Sequence, residues 1–206
     1  MRKWILILIV SIFCVFPELS AQEKENSTNA ANVDLNKFTH GIGAAAGFTT
    51  GYGLSYRYYM DRWAFQGTFA PIVEGTNNMT FSTGLTFMYR LADTEFVNLY
   101  LYESNHWHYL KNEWDSNFTP YNSNEVHTNY SMDMENYIHS GIGVGFEFIL
   151  WDRISFNLMT GYSVKYGRYH NIRHRFNDGE LVEDNSTAEN RTKIHPTIEG
   201  GLYYCF

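Results

Sequence analysis

Histidine is the first residue type that could do chemistry here. His106 and His108 lie two apart, so on a β-strand their imidazoles would share one face. His127, His170 and His174 lie in stretches that read as loops on the same rim. Imidazole suits zinc, copper or nickel. No carboxylate or thiol accompanies these histidines at a metal-ligand spacing, so neither a metal site nor a cofactor is expected. Acyl transfer would need a serine activated by histidine and an acid. His139 and Ser140 are adjacent, with Glu135 close by. Successive strand residues point to opposite faces, so His139 cannot reach Ser140; the same parity separates Ser163 from His170. No catalytic residue is expected.

A second group consists of charges set at alternate positions. Arg57, Arg90, Arg153, Lys165 and Lys193 share a face with Glu147 and Glu199, and with His139 and His195. Enclosed charges must be paired and hydrogen-bonded. Arg57, Arg90, Glu147, Lys165 and Glu199 are therefore the candidates for an interior network. Such a network could be filler, a narrow proton or ion path, or a small polar ligand site. A third group is aromatic: Trp107, Tyr109, Trp114, Phe118, Tyr121, Tyr130 and Tyr137 stand among Asn and acids. Exposed aromatics among polar groups mark an interaction surface, unless they pack over the molecule's own mouth.

The elements that must position these groups are strands. Period-two alternation recurs over 41–49, 53–60, 62–72, 79–91, 95–106, 137–150, 153–167 and 192–206, and no helical period competes with it. Met60-Asp61-Arg62, Leu91-Ala92-Asp93-Thr94 and Leu150-Trp151-Asp152 read as tight turns. The intervening stretches 73–78, 107–136 and 168–191 read as loops, and Thr50-Gly51-Tyr52 as a short link. One face of the strands is apolar and aromatic: Phe48, Tyr56, Tyr58, Phe65, Phe69, Phe81, Phe87, Tyr89, Phe146, Phe148, Phe156, Tyr162, Tyr166. The other mixes Gly41, Gly43, Ala45, Gly47, Ala64, Gly84, Gly141, Gly143, Gly145, Gly161 and Gly201 with the long polar residues. An eight-stranded barrel has an interior just wide enough for side chains to fill. Small residues among a few long polar ones suit it, and the aromatic face is then left for lipid. A soluble barrel with the faces reversed is the rival. Trp63, Trp151, Tyr204 and Phe206 would form one aromatic girdle, and Tyr52, Tyr166 and Tyr169 the other.

The ends add a compartment. Arg2 and Lys3 precede the apolar run Trp4–Phe16, followed by Ser20 and Ala21. That pattern reads as a secretory signal over 1–21, with a flexible leader over 22–38 and the barrel over 39–206. Bulky Phe13 before Cys14 argues against lipidation. Cys205 is then the only cysteine of the exported chain, so no intrachain disulfide forms. A net charge of −7 argues against nucleic-acid binding.

The signal, the eight strands, the loop asymmetry and terminal Phe206 together resemble the small outer-membrane β-barrel families, of the OmpA/OmpX type and the porin-like outer-membrane β-barrel family. The resemblance implies an all-β, eight-stranded antiparallel up-and-down transmembrane barrel, with short periplasmic turns and longer outer loops. It implies residence in the bacterial outer membrane among its lipid and lipopolysaccharide, and a role for Phe206 in the signal read by the barrel-assembly machinery. Fold does not choose function within such families. The expectation is a non-catalytic structural or surface-interaction barrel, binding an envelope or surface protein through 107–136 and 168–191 with Trp107, Tyr109, Trp114, Tyr121 and Tyr130. Arg168, Arg173, Arg175 and Arg191 would meet lipopolysaccharide phosphates or their own acids, Asp178, Glu180, Glu183 and Asp184. The alternatives are an accessory of a secretion or assembly complex, and a lipid A deacylase or acyltransferase.

Overall fold

In a computed structural model, the chain divides into two units, Met1–Leu35 and Asn36–Phe206. The described residues are 38–75, 77–94, 96–118, 127–151, 153–177 and 180–206, all in the second unit. The signal reading and nearly all of the leader lie outside them, as does Tyr121.

Eight antiparallel strands close on themselves in chain order. They are β1 His40–Gly47, β2 Gly51–Met60, β3 Trp63–Glu74, β4 Asn78–Asp93, β5 Val97–Phe118, β6 His127–Leu150, β7 Ile154–Asn177 and β8 Glu180–Cys205. The seam is the β1–β8 ladder, from Gly41 opposite Cys205 to Ala46 opposite Gly200. Phe206 extends it: its N–H donates to His40 O, and its own carbonyl accepts from His40 N–H, both at 2.9 Å.

Alternation sorts the side chains. Leu54, Ile142, Leu158, Tyr162, Ile198 and Leu202 point outward and are exposed, while Arg57, Gln66, Glu147, Asn157 and Glu199 point inward and are buried. A water-soluble barrel would reverse this. An outer wall of aliphatic and aromatic groups around a charged interior needs lipid outside. Tight turns close the end that holds His40 and Phe206: Asp61 and Trp151 take left-handed φ of 49° and 44°, and Val97 N–H donates to the Thr94 hydroxyl at 3.0 Å.

The other end differs from expectation. The stretches 107–136 and 168–191 are mostly strand. β5 and β6 stay paired out to Phe118 opposite His127, and β7 and β8 to Asn177 opposite Glu180. The alternation signal fades there because both faces are wet, not because the ladder ends. Strand length climbs round the barrel from 8 residues in β1 to 26 in β8. Short β1 therefore sits beside the tallest wall. β2 pairs with β3 only as far as Leu54 opposite Phe69. Above the β1–β2 turn, β8 and β3 each lack a partner on that side, leaving a notch in the wall.

Candidate functional site: the filled lumen and its outer rim

The inner face builds two layers. In the lower one, Glu147 of β6 is the hub. Arg57 of β2 donates to its Oε1 at 2.7 Å, as do the hydroxyls of Tyr59 at 2.7 Å and Ser155 at 2.9 Å. Its Oε2 accepts from the Tyr100 hydroxyl and from Asn98 Nδ2 at 3.2 Å. The other guanidinium arm of Arg57 donates to Gln66 Oε1 at 2.6 Å, and its plane lies 4.1 Å from the Tyr203 ring centre. A buried ion pair recovers its desolvation cost only when the remaining lone pairs and protons are also satisfied. The tyrosine, serine and asparagine donors do this for the carboxylate.

Tyr203, which alternation places on the face of Glu199, is buried in the lumen, and so are Tyr59, Tyr100 and Tyr102, which the sequence reading does not single out as interior groups. Their signal was parity: Tyr59 shares a face with Arg57, and Tyr100 with Asn98. Arg90 stands opposite Tyr100 in the β4–β5 register and faces Asp93 at 3.9 Å. Arg153 is exposed at the short-turn end, donating to the Tyr204 hydroxyl at 3.2 Å.

The upper layer is made by the β1–β2 turn itself. β1 is too short to carry its turn clear of the membrane, and lipid offers no acceptors for turn amides. The turn is folded inward instead. Thr49 N–H and Thr50 N–H donate to Glu199 at 3.2 and 2.7 Å, and the Thr49 hydroxyl donates to the same carboxylate. Gly84 makes room: a Cβ there would strike the Thr50 carbonyl. His106 pins the turn from β5. Its Nδ1 lies 2.9 Å from Phe48 O and its Nε2 2.9 Å from Ser82 Oγ, which also accepts from Tyr52 N–H at 3.1 Å. Glu199 thus caps a turn and is not a partner for Lys165. The interior charges form two separate constellations rather than one network.

Above the turn stands a cluster of rings. His139 of β6 is 6.2 Å from His106 and 5.3 Å from His195 between ring centres. Lys165 of β7 rests its ammonium 3.5 Å from the centre of the Tyr137 ring. Phe48, assigned to the lipid face from sequence, is exposed there and also lays its ring against His139 and His195. Tyr52 and Tyr169 are not girdle residues: Tyr52 reaches His108 Nε2 with its hydroxyl at 3.1 Å, and Tyr169 lies beside Lys165 and Arg191. Phe48 and Tyr52 flank the inward-folded turn, where strict alternation fails, whereas Tyr169 keeps the parity of Lys165 in an unbroken β7 register.

The acyl-transfer constellation is not assembled. Ser140 faces outward and donates to Asn105 Oδ1 at 2.7 Å. Ser163 does meet a histidine, but it is His195, opposite in the β7–β8 register, at 3.4 Å and with no acid orienting the ring. Among the described residues no group of three His, Cys, Asp or Glu side chains could hold a metal ion. At the rim, Trp107 is outward on β5 and donates to Asn136 at 3.0 Å. Tyr109 stacks obliquely with Phe81, Trp114 is exposed, and Tyr130 donates to Glu113 at 2.9 Å. Arg175 and Arg191 pair with Glu183 and Glu189.

No family model matches the chain, and no curated protein does. Among solved structures it is similar to a major outer membrane protein from Thermus thermophilus, at 13% identity over 81% of this chain and 98% of that one, with a TM-score of 0.38. It is also similar to the β domain of the Bordetella autotransporter BrkA, at 10% identity over 81% and 97%, with a TM-score of 0.16. At those scores neither likeness bears on what this chain does.

Proposed function

We propose that the chain is a non-catalytic outer-membrane barrel. In this reading it crosses the membrane as a filled cylinder and works at the cell surface through the tall sheet of β5–β8. The observation that carries this reading is the pair of ladders 108–118 with 127–137 and 168–177 with 180–190. They continue the barrel wall far beyond its apolar belt with polar groups on both faces. Backbone held in a ladder presents Trp114, Tyr130 and the arginines at lower conformational cost than a loose loop would.

Outer-membrane fractions should yield a protein that runs faster on gels unboiled than boiled, and intact cells treated with protease should lose only the outer hairpins. A soluble periplasmic protein without a mobility shift would overturn the reading. Deleting 109–134 together with 168–190 should abolish binding of purified lipopolysaccharide aggregates while leaving the mobility shift. If that deletion leaves binding intact, the contact lies on the outer wall or the short turns, as an accessory of a secretion or assembly complex would require. Lipid A from overexpressing cells should keep its acyl chains by mass spectrometry, because Ser163 and His195 lack an acid.

A further inference from the structure

The rings and cations above the plugged turn remain unused by this reading. His139 is 3% exposed, and neither of its ring nitrogens has a hydrogen-bond partner. A buried polar group left unpaired loses its hydration and gains nothing in return, so two on one ring point to something that binds there. Lys165 stands next to it in the β6–β7 register and makes no ion pair among the described residues, resting only on the Tyr137 and Tyr169 rings. Lys193 is opposite Lys165 on β8, and His195 is opposite Ser163 one inward position below. Of the acids on this face, Glu199 holds the turn amides, Glu189, two inward positions further out, binds Arg191, and Glu135 stands at the level of Glu189. Cationic and imidazole groups therefore gather on the inner face above the β1–β2 turn. The imidazoles do not converge on a centre, and an ammonium stands among them, which disfavours a metal ion.

We infer that this cluster is a binding site for a phosphate-type anion, with Lys165 and Lys193 supplying charge and His139 and His195 supplying hydrogen bonds. A neutral imidazole offers one N–H and one lone pair. A hydrogenphosphate or phosphomonoester can accept from the first and donate to the second, whereas a carboxylate only accepts. The anion could be free phosphate entering from the outer end, or the head group of a lipid reaching in through the notch between β8 and β3, where the Phe48 ring is 54% exposed.

The test is a titration of the refolded, histidine-labelled barrel in neutral detergent, watched by NMR of the imidazoles at constant pH. The three probes are inorganic phosphate, phosphatidic acid and, at matched ionic strength, chloride. Phosphate-dependent shifts at His139 and His195, with His127 and His174 unmoved, would establish a free-anion site. Shifts with phosphatidic acid but not phosphate would establish a lipid head-group site. Lys165→Gln should weaken either by about tenfold or more, as loss of a charge-assisted contact does. His139→Gln should weaken it too while the unboiled gel mobility shows the barrel intact. Equal responses to all three probes, or an unchanged affinity in Lys165→Gln, would overturn the inference.

Discussion

Glu147 illustrates how one side chain can be both costly and indispensable. Buried with Arg57, it accepts from two tyrosines, a serine and an asparagine. Removing one member of a buried pair strands the other charge, at about 3–5 kcal/mol. Glu147→Ala should therefore lower resistance to urea by about that amount, read as the midpoint at which the compact unboiled gel form is lost. Arg57→Met combined with Glu147→Leu should recover part of the loss, because no charge is left behind. A double variant as weak as the sum of both single ones would mean that the two groups act independently and that the pair is not the unit of stability. Glu199, by contrast, pairs with no cation among the described residues. Its loss should release a turn rather than loosen the barrel.

At the scale of elements, close approach of strands decides where glycine is required. Gly143 and Gly161 face each other across β6–β7. A Cβ on Gly161 would strike the Ile142 carbonyl and come within 2.8 Å of Gly143 Cα. Gly67 on the outer wall has nothing within 4 Å of such a Cβ. Gly161→Val should prevent the compact form from accumulating, or destabilise it by more than about 2 kcal/mol, as overpacking against backbone does. Gly67→Val should leave urea resistance within about 0.5 kcal/mol of the parent. The outer β5–β6 hairpin rests instead on polar contacts. Lys111 at 2.8 Å and then Tyr130 hold the Glu113 carboxyl below its ordinary 4.5. A depressed folded value means that this support is complete above pH 4.5 and disappears as pH falls through the lower folded value. Amide exchange over 111–118 and 127–134, corrected for intrinsic rates, should accelerate in that acid window. Glu113→Gln should flatten the response. The same hairpin shows what sequence could and could not convey. The eight strands, their order and the inward set Arg57, Glu147 and Glu199 were legible, because a wet interior against a lipid exterior imposes alternation. Residues 108–118 were read as loop because water on both faces erases that contrast. The interior tyrosines were obscured by amphipathicity: the same ring suits lipid by its body and a lumen by its hydroxyl.

For the whole molecule the governing fact is the unequal wall. At about 3.3 Å per residue and a tilt near 45°, β1 rises roughly 19 Å and β8 roughly 61 Å, against an apolar band of about 25 Å. The first hairpin thus ends inside the membrane and the last strand ends well outside it. Inward folding of the turn at Thr49 and Thr50 follows from that mismatch, and it closes the lumen a second time above the Arg57–Glu147 layer. Two independent closures make a specific expectation. In planar bilayers the parent should show no steady conductance, and Glu199→Ala should show none either, since the lower layer stays filled. The turn itself should respond. Thr50 is fully buried, so Thr50→Cys should react slowly with a membrane-impermeant maleimide added from outside. Adding Glu199→Ala removes two amide contacts and one hydroxyl contact to a charge, each worth about 1.5–3 kcal/mol, and should speed that labelling by more than about tenfold. Fast labelling in the Thr50→Cys parent would mean that the turn is not held in the lumen, and a steady open channel would mean that neither layer closes it.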